Sequence, residues 1–206
     1  MRKHWGHHVP WLVDANSFAT MDIAAYKKML DLLRHRGFLV PFGNDTSTLD
    51  GLIRECNGEY LIGSIQSLAH IPPESVDFCF SQTVLQHVTK SDFNKLAVEL
   101  FRLLKPNAAC HHRVDLKDML GGGLNNLRFS EATWEGGLFS KSGFYTNRIR
   151  FSEMIRVFRQ AGFRPTLLKV LRWEQLPLPR NKLDPRFRQL PDDDLLVSGF
   201  DILLKK

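Results

Sequence analysis

His111 and His112 stand near the end of an apolar run, and Asp115 follows three positions after His112. An imidazole with a carboxylate close by in sequence is a candidate general base near neutral pH. Alternation along a strand sends residues 111 and 112 to opposite faces, so only one can face a ligand. His112, with Asp115, is the stronger base candidate; a purely structural pair of polar residues is the competing reading. The segment 121–150 is rich in Gly, Asn and aromatic residues and has no clean periodicity. Its polar groups, Asn126, Arg128, Tyr145 and Arg148 with Asn125 and Asn147, could line a substrate pocket walled by Trp134 and Phe144. They would serve equally in a self-packed lid over the end of a sheet. His4, His7 and His8 form a His-rich stretch at the N-terminus, where no specific metal site is expected.

The elements that must position these groups alternate between strand and helix patterns, which argues for an α/β fold with a largely parallel sheet. Strands are expected at 10–14 (PWLVD), 60–63 (YLIG), 76–80 (VDFCF) and 108–116. Helix 21–36 is amphipathic, with Ile23, Tyr26, Met29, Leu30 and Leu33 on one face and Gly37 as its stop. A weaker helix is expected at 49–55. Helix 91–104 carries the stripe Phe93, Leu96, Ala97, Leu100, Phe101 and Leu104, with Ser91 as its cap and Lys105–Pro106 as its end. Helix 152–161 closes at Gly162. Two strands, 166–173 and 195–204, flank a Pro-rich excursion at 176–191 and are expected to pair antiparallel at the end of the sheet.

Composition sets the class. The chain has 206 residues, 43% of them hydrophobic and 24% charged. That length suits one domain with a sizeable core. No apolar run approaches the about 20 residues of a membrane-spanning helix. No apolar stretch follows Arg2 and Lys3, so a signal peptide is not expected. The three cysteines, Cys56, Cys79 and Cys110, have no tight spacing and read as reduced thiols of a cytoplasmic protein. The net charge is +6, but the basic residues are scattered, so a solvated face is favoured over nucleic-acid binding.

The block YLIGSIQSLAHIPPESVDFCFSQTVLQHV, followed by DFNKLAVELFRLLKPNA, resembles the central part of class I, Rossmann-like S-adenosylmethionine-dependent methyltransferases. A narrower resemblance runs through LVDANSFATMD, HHRVDLKDMLGGGLNNLRFS, WEGGLFSKSGFYTNRIR and DDDLLVSGFDILL, which look like a bacterial group of methyltransferase-domain proteins. The resemblance implies a mostly parallel sheet with an antiparallel C-terminal strand, S-adenosylmethionine as cofactor and a small-molecule or glycan-like acceptor. It matches Asp14 to the acid that accepts the ribose hydroxyls at the end of the second strand. It matches Ser64, Ile65 and Gln66 to the loop beside adenine, and Ser81 and Gln82 to the turn beside the methionine part. Many relatives carry an acid where Ser64 stands. His87 is usual at its position and reads as a structural hydrogen bonder. Thr83 and Gln86 replace the acids that hold a metal in some relatives, so no metal is expected. Asn107–Ala108 replaces the usual Gly–Gly turn, and Met119 stands where the narrower group often has His.

The family's first strand leads into a glycine-rich turn about 20 residues before the ribose acid. Only thirteen residues, MRKHWGHHVPWLV, precede Asp14, with no Gly-x-Gly among them. Under this ordering the first strand and its loop are absent, and the sheet is left with edges whose unpaired groups each cost about 1–3 kcal/mol if buried. Methyl transfer would then be impaired, or a partner chain would cover the open edge. In a second ordering Trp11–Asp14 is the first strand and 38–41 the second. A non-catalytic remnant acting as an interaction module is the alternative to an enzyme.

Overall fold

The computed structural model describes residues 9–38 and 47–206. The His-rich stretch and most of 38–41 lie outside the described residues. The chain divides into two compact units, 1–71 and 72–206.

The first unit runs β1 (Trp11–Asp14), α1 (Ile23–His35), α2 (Leu49–Glu55), β2 (Glu59–Ile62) and α3 (Ser64–Ser67). β1 and β2 pair in parallel, Trp11 opposite Glu59 and Asp14 opposite Ile62. In the Rossmann strand order the second and third strands are neighbours. The direct pairing therefore agrees with the ordering in which Asp14 ends the second strand. α1 begins two residues after the expected start, with Asp22 as its N-cap: the Asp22 carboxylate accepts from the Ala24 N–H. Gly37 takes φ 79 past the helix end, and the Phe38 N–H returns to the Leu33 carbonyl. Thr48 caps α2 through the Gly51 N–H at 3.0 Å. Among the described residues of this unit, Leu30, Leu49, Leu52, Leu68 and Ile71 are buried and apolar.

The second unit continues β3 (Val76–Gln82), α4 (Lys90–Leu103), β4 (Leu104–Asp115), α5 (Glu131–Trp134), α6 (Gly137–Ser140), α7 (Phe151–Gln160), β5 (Arg164–Arg172), α8 (Pro185–Arg188), α9 (Asp192–Leu195) and β6 (Val197–Lys205). Its sheet has the order β3-β4-β6-β5. β3 and β4 are parallel, and β6 is antiparallel to both β4 and β5. Three strands therefore share one direction and the C-terminal strand opposes them, the expected Rossmann-like pattern. β6 lies between β4 and β5 rather than outside them.

Helices α4 and α7 cover one face. Phe93, Ala97, Leu100, Met154, Val157 and Phe158 pack with Cys110, Val114, Phe200, Ile202 and Leu204. Gly162 takes φ 104, and a Cβ there would meet the Phe101 ring at 2.9 Å, so the turn after α7 needs glycine. α4 begins one residue before the expected start, with Thr89 rather than Ser91 at the N-cap. It passes directly into β4, so Pro106 lies within a strand. There the register jumps from Val76↔Leu104 to Phe78↔Ala109, and Asn107 takes φ 67. Asn is among the few non-glycine residues that tolerate this region, which explains how it replaces glycine.

The segment 121–150 folds as a short 3-10 turn, Asn125–Arg128, with α5 and α6. It shares a second apolar cluster with the Pro-rich excursion and α9: Leu124, Leu127, Leu183, Phe187 and Leu195. Arg150 ties these parts to the sheet. Its guanidinium donates to the carbonyls of Leu116, Asp194, Leu195 and Val197. Burial pushes its pKa down to about 10, still charged at neutral pH.

Candidate active site

In the first unit the residues expected around a nucleoside meet at the carboxyl end of two paired strands. Asp14 ends β1, and its Oδ2 accepts from the Tyr60 hydroxyl at 2.9 Å. The same hydroxyl accepts from the Ala19 N–H at 3.2 Å. The Gly63 N–H donates to the Asp14 carbonyl at 3.1 Å. Gly63 and Ser64 both have positive φ, 134 and 55, and turn the chain sharply from β2 into α3. Ser64, Ile65 and Gln66 form the first turn of α3, next to the end of β1. Ser64 and Ile65 are half-buried and Gln66 is exposed. Among the described residues, Asp14 Oδ1 accepts no hydrogen bond. A carboxylate held by one oxygen, with the other open, has the right chemistry for ribose hydroxyls. Tyr60, which the sequence reading missed, aims it.

In the second unit, Ser81 and Gln82 end β3 opposite His112 and Arg113 of β4. Ser81 Oγ lies 2.8 Å from His112 Nδ1. His112 is 1% exposed, on the helix side of the sheet, stacked on Phe158 with ring centroids 6.3 Å apart. Burial, then the neighbouring His111 charge, lowers its pKa to about 4, so the ring is neutral at pH 7. Its Nε2 is buried without a partner. His112 and Asp115 are an odd number of residues apart and lie on opposite faces of β4. The structure does not bring them together. Asp115 is half-buried, accepts from the Lys117 N–H at 2.9 Å and lies 3.5 Å from Lys117 Nζ.

Thr83 follows Gln82 with φ 54, a costly conformation for a β-branched residue. It is tied by its N–H to the Arg113 carbonyl and by its hydroxyl to the Gln82 carbonyl. Strained backbone thus stands at the carboxyl ends of both β2 and β3, a signal no residue pattern carries. His87 Nδ1 lies 3.0 Å from the Tyr145 carbonyl, in keeping with a structural role.

Most polar residues of the insert are occupied within it. Asn126 donates to Thr146 Oγ1 at 2.9 Å, and Tyr145 donates to Glu135 at 2.9 Å. The Arg148 side chain is 1% exposed and donates to the carbonyls of Asn126 and Phe129 and to Glu131. Its guanidinium lies over Trp134 and Phe187, 5.3 and 5.2 Å from the ring centroids. Burial lowers its pKa despite the Glu131 and Glu135 charges. Glu131 also pairs with Lys90 and Arg186. Trp134 stacks with Phe129, Phe139 and Tyr145 and donates to the Thr146 carbonyl at 2.7 Å. Arg128 is exposed. A cavity of about 10 Å³, lined by Gln86, Asp115, Asn126 and 146–150, remains at the end of β4. It is the size of one water, and Gln86 Oε1 and Asn126 Oδ1 are buried nearby without partners. In this conformation the insert is a packed cap. Sequence reading missed Glu131 and Arg150 as its anchors, because nothing local distinguishes them from surface charges.

Residues 6–111, about half of the chain, match the family model described as a methyltransferase domain. The chain belongs to that family. No curated protein matches it. Among solved structures it is similar to the YcgJ protein of Bacillus subtilis, at 15% identity and TM-score 0.48 over 95% of this chain and 81% of that one. It is also similar to an S-adenosylmethionine-dependent methyltransferase of Mesorhizobium loti, at 13% identity and TM-score 0.47 over 96% and 80%. A third, from Archaeoglobus fulgidus, matches at 11% identity and TM-score 0.46 over 97% and 87%.

Proposed function

We propose that this chain takes part in transfer of a methyl group from S-adenosylmethionine to a small-molecule or glycan-like acceptor. The observation that carries the reading is Asp14, aimed by Tyr60 at the carboxyl end of β1 beside the first turn of α3. Asp14 holds the ribose hydroxyls, and Ser64, Ile65 and Gln66 flank the adenine. The family resemblance assigns Ser81 and Gln82 to the methionine part. The cofactor supplies the methyl on a sulfonium, and the protein's task is alignment for direct displacement. His112, enclosed in the core, orients Ser81 as a neutral imidazole. Asp115 is the carboxylate free of the core and takes the acceptor's proton. Arg128 meets the acceptor, and Asn126, Tyr145 and Arg148 hold the cap that frames it.

Titration calorimetry with S-adenosylhomocysteine tests this. The folded chain is expected to bind, and Asp14→Asn to weaken binding about tenfold, or about 1.4 kcal/mol. A folded sample that takes up no ligand overturns the reading.

A second reading, an interaction module, is favoured by one observation. Among the described residues β3 ends the sheet of the second unit, and its Phe78 and Phe80 are 55% and 73% exposed and stacked on each other. An edge strand with an apolar face is a template for a strand of a partner chain. Absence of cofactor binding by the folded protein leaves this reading standing.

A further inference from the structure

Two of the three cysteines are register partners. Cys79 of β3 lies opposite Cys110 of β4, in the parallel pair. Partners in register point to the same face, here the one covered by α4 and α7. Neighbouring strands are about 4.8 Å apart, within the Cα separation of about 4.4–6.8 Å that a disulfide spans. The next rung on this face is Ser81 with His112. Neither thiol has a part in the proposed methyl transfer. We propose that Cys79 and Cys110 are a reversible oxidation site, closing to a disulfide that locks β3 to β4 one rung below Ser81 and His112.

The two thiols are unequal, which fixes their order of reaction. Cys79 is half-buried and Cys110 is fully buried. A hydrogen bond from the Cys110 thiol lowers the pKa of Cys79, and that bond together with burial raises the pKa of Cys110. Cys79 is therefore the attacking thiolate and Cys110 the resolving thiol. With a low-molecular-weight disulfide such as oxidised glutathione, Cys79 sulfur attacks one glutathione sulfur. Its S–S bond breaks, and one glutathione leaves as a thiol. Cys110 sulfur then attacks Cys79 sulfur and expels the second glutathione. Two protein thiols are oxidised, one glutathione disulfide is reduced, and the two protons end on the two released thiols.

The test is incubation of the folded Cys56→Ser protein with oxidised glutathione, followed by intact mass and thiol titration. Loss of both thiols with a mass lower by two hydrogens, restored by dithiothreitol, is expected. Cys110→Ser is expected to retain one glutathione, and Cys79→Ser to take up none. The protein with both Cys79 and Cys110 in place decides the outcome, however those two variants fold. If it keeps both thiols, or stably carries glutathione instead of closing, the proposal is wrong.

Discussion

His112 shows how burial changes what a residue can do. A histidine near the end of a strand reads as a base when only its neighbours in sequence are known. Enclosed against Phe158, the ring is held neutral, with its pKa lowered to about 4 by burial and the His111 charge. An unfolded histidine titrates near 6.5, so between about pH 6.5 and 4 the unfolded chain binds the proton and the folded protein does not. Stability is therefore complete above that window and falls as pH drops through it. The loss is on the order of 3 kcal/mol by pH 4. Urea titrations from pH 7 to pH 4 should show this slope, and His112→Gln should flatten it. An unchanged slope in the variant would mean that other groups set the acid limit.

The cap over the end of β4 illustrates the element scale. None of its short helices, α5, α6 or the 3-10 turn Asn125–Arg128, is long enough to be stable alone. They hold because Trp134 is enclosed by aromatic rings and because Glu131 gathers Lys90, Arg148 and Arg186. Removing the carboxylate takes away the ion-pair partner of the buried Arg148 guanidinium; because Glu131 is 41% exposed and Glu135 lies nearby, the loss is about 1 kcal/mol. Glu131→Ala should thus lose hydrogen-exchange protection across 124–150 while α4 and β4 keep theirs. Retained protection in the cap would show that aromatic packing suffices without the ion pairs.

At the scale of the whole molecule the two units differ in how much they bury. Among the described residues, the first rests a two-stranded sheet on Leu30, Leu49, Leu52, Leu68 and Ile71. A sheet of two strands is marginal, and so small a core adds little. The second unit has four strands, α4, α7 and the larger apolar cluster. Amides of β1 and β2 should exchange faster than those of β4 and β6, and should unfold at lower denaturant. Equal protection in the two sheets would contradict this ranking. No helix among the described residues is long and apolar enough to cross a membrane.

Much of this was legible in the sequence, because it is written locally. α2 falls on the expected residues, and the two strands around the Pro-rich excursion pair antiparallel as expected. Hydrophobic period, Asp and Thr caps and glycine stops depend on neighbours a few positions away. The strand-end positions of Asp14 and Ser81, and the turn at Ser64, followed from the same patterns together with the family resemblance. Tertiary structure alone decided which polar groups are available. Sequence places His112 and Asp115 near one another, but the pleat separates them by face. Sequence offers Asn126, Tyr145 and Arg148 to an acceptor, but folding commits them to hydroxyls, carbonyls and carboxylates of the cap. Burial, register and long-range hydrogen bonding join residues tens of positions apart, and no local pattern of residue types records them.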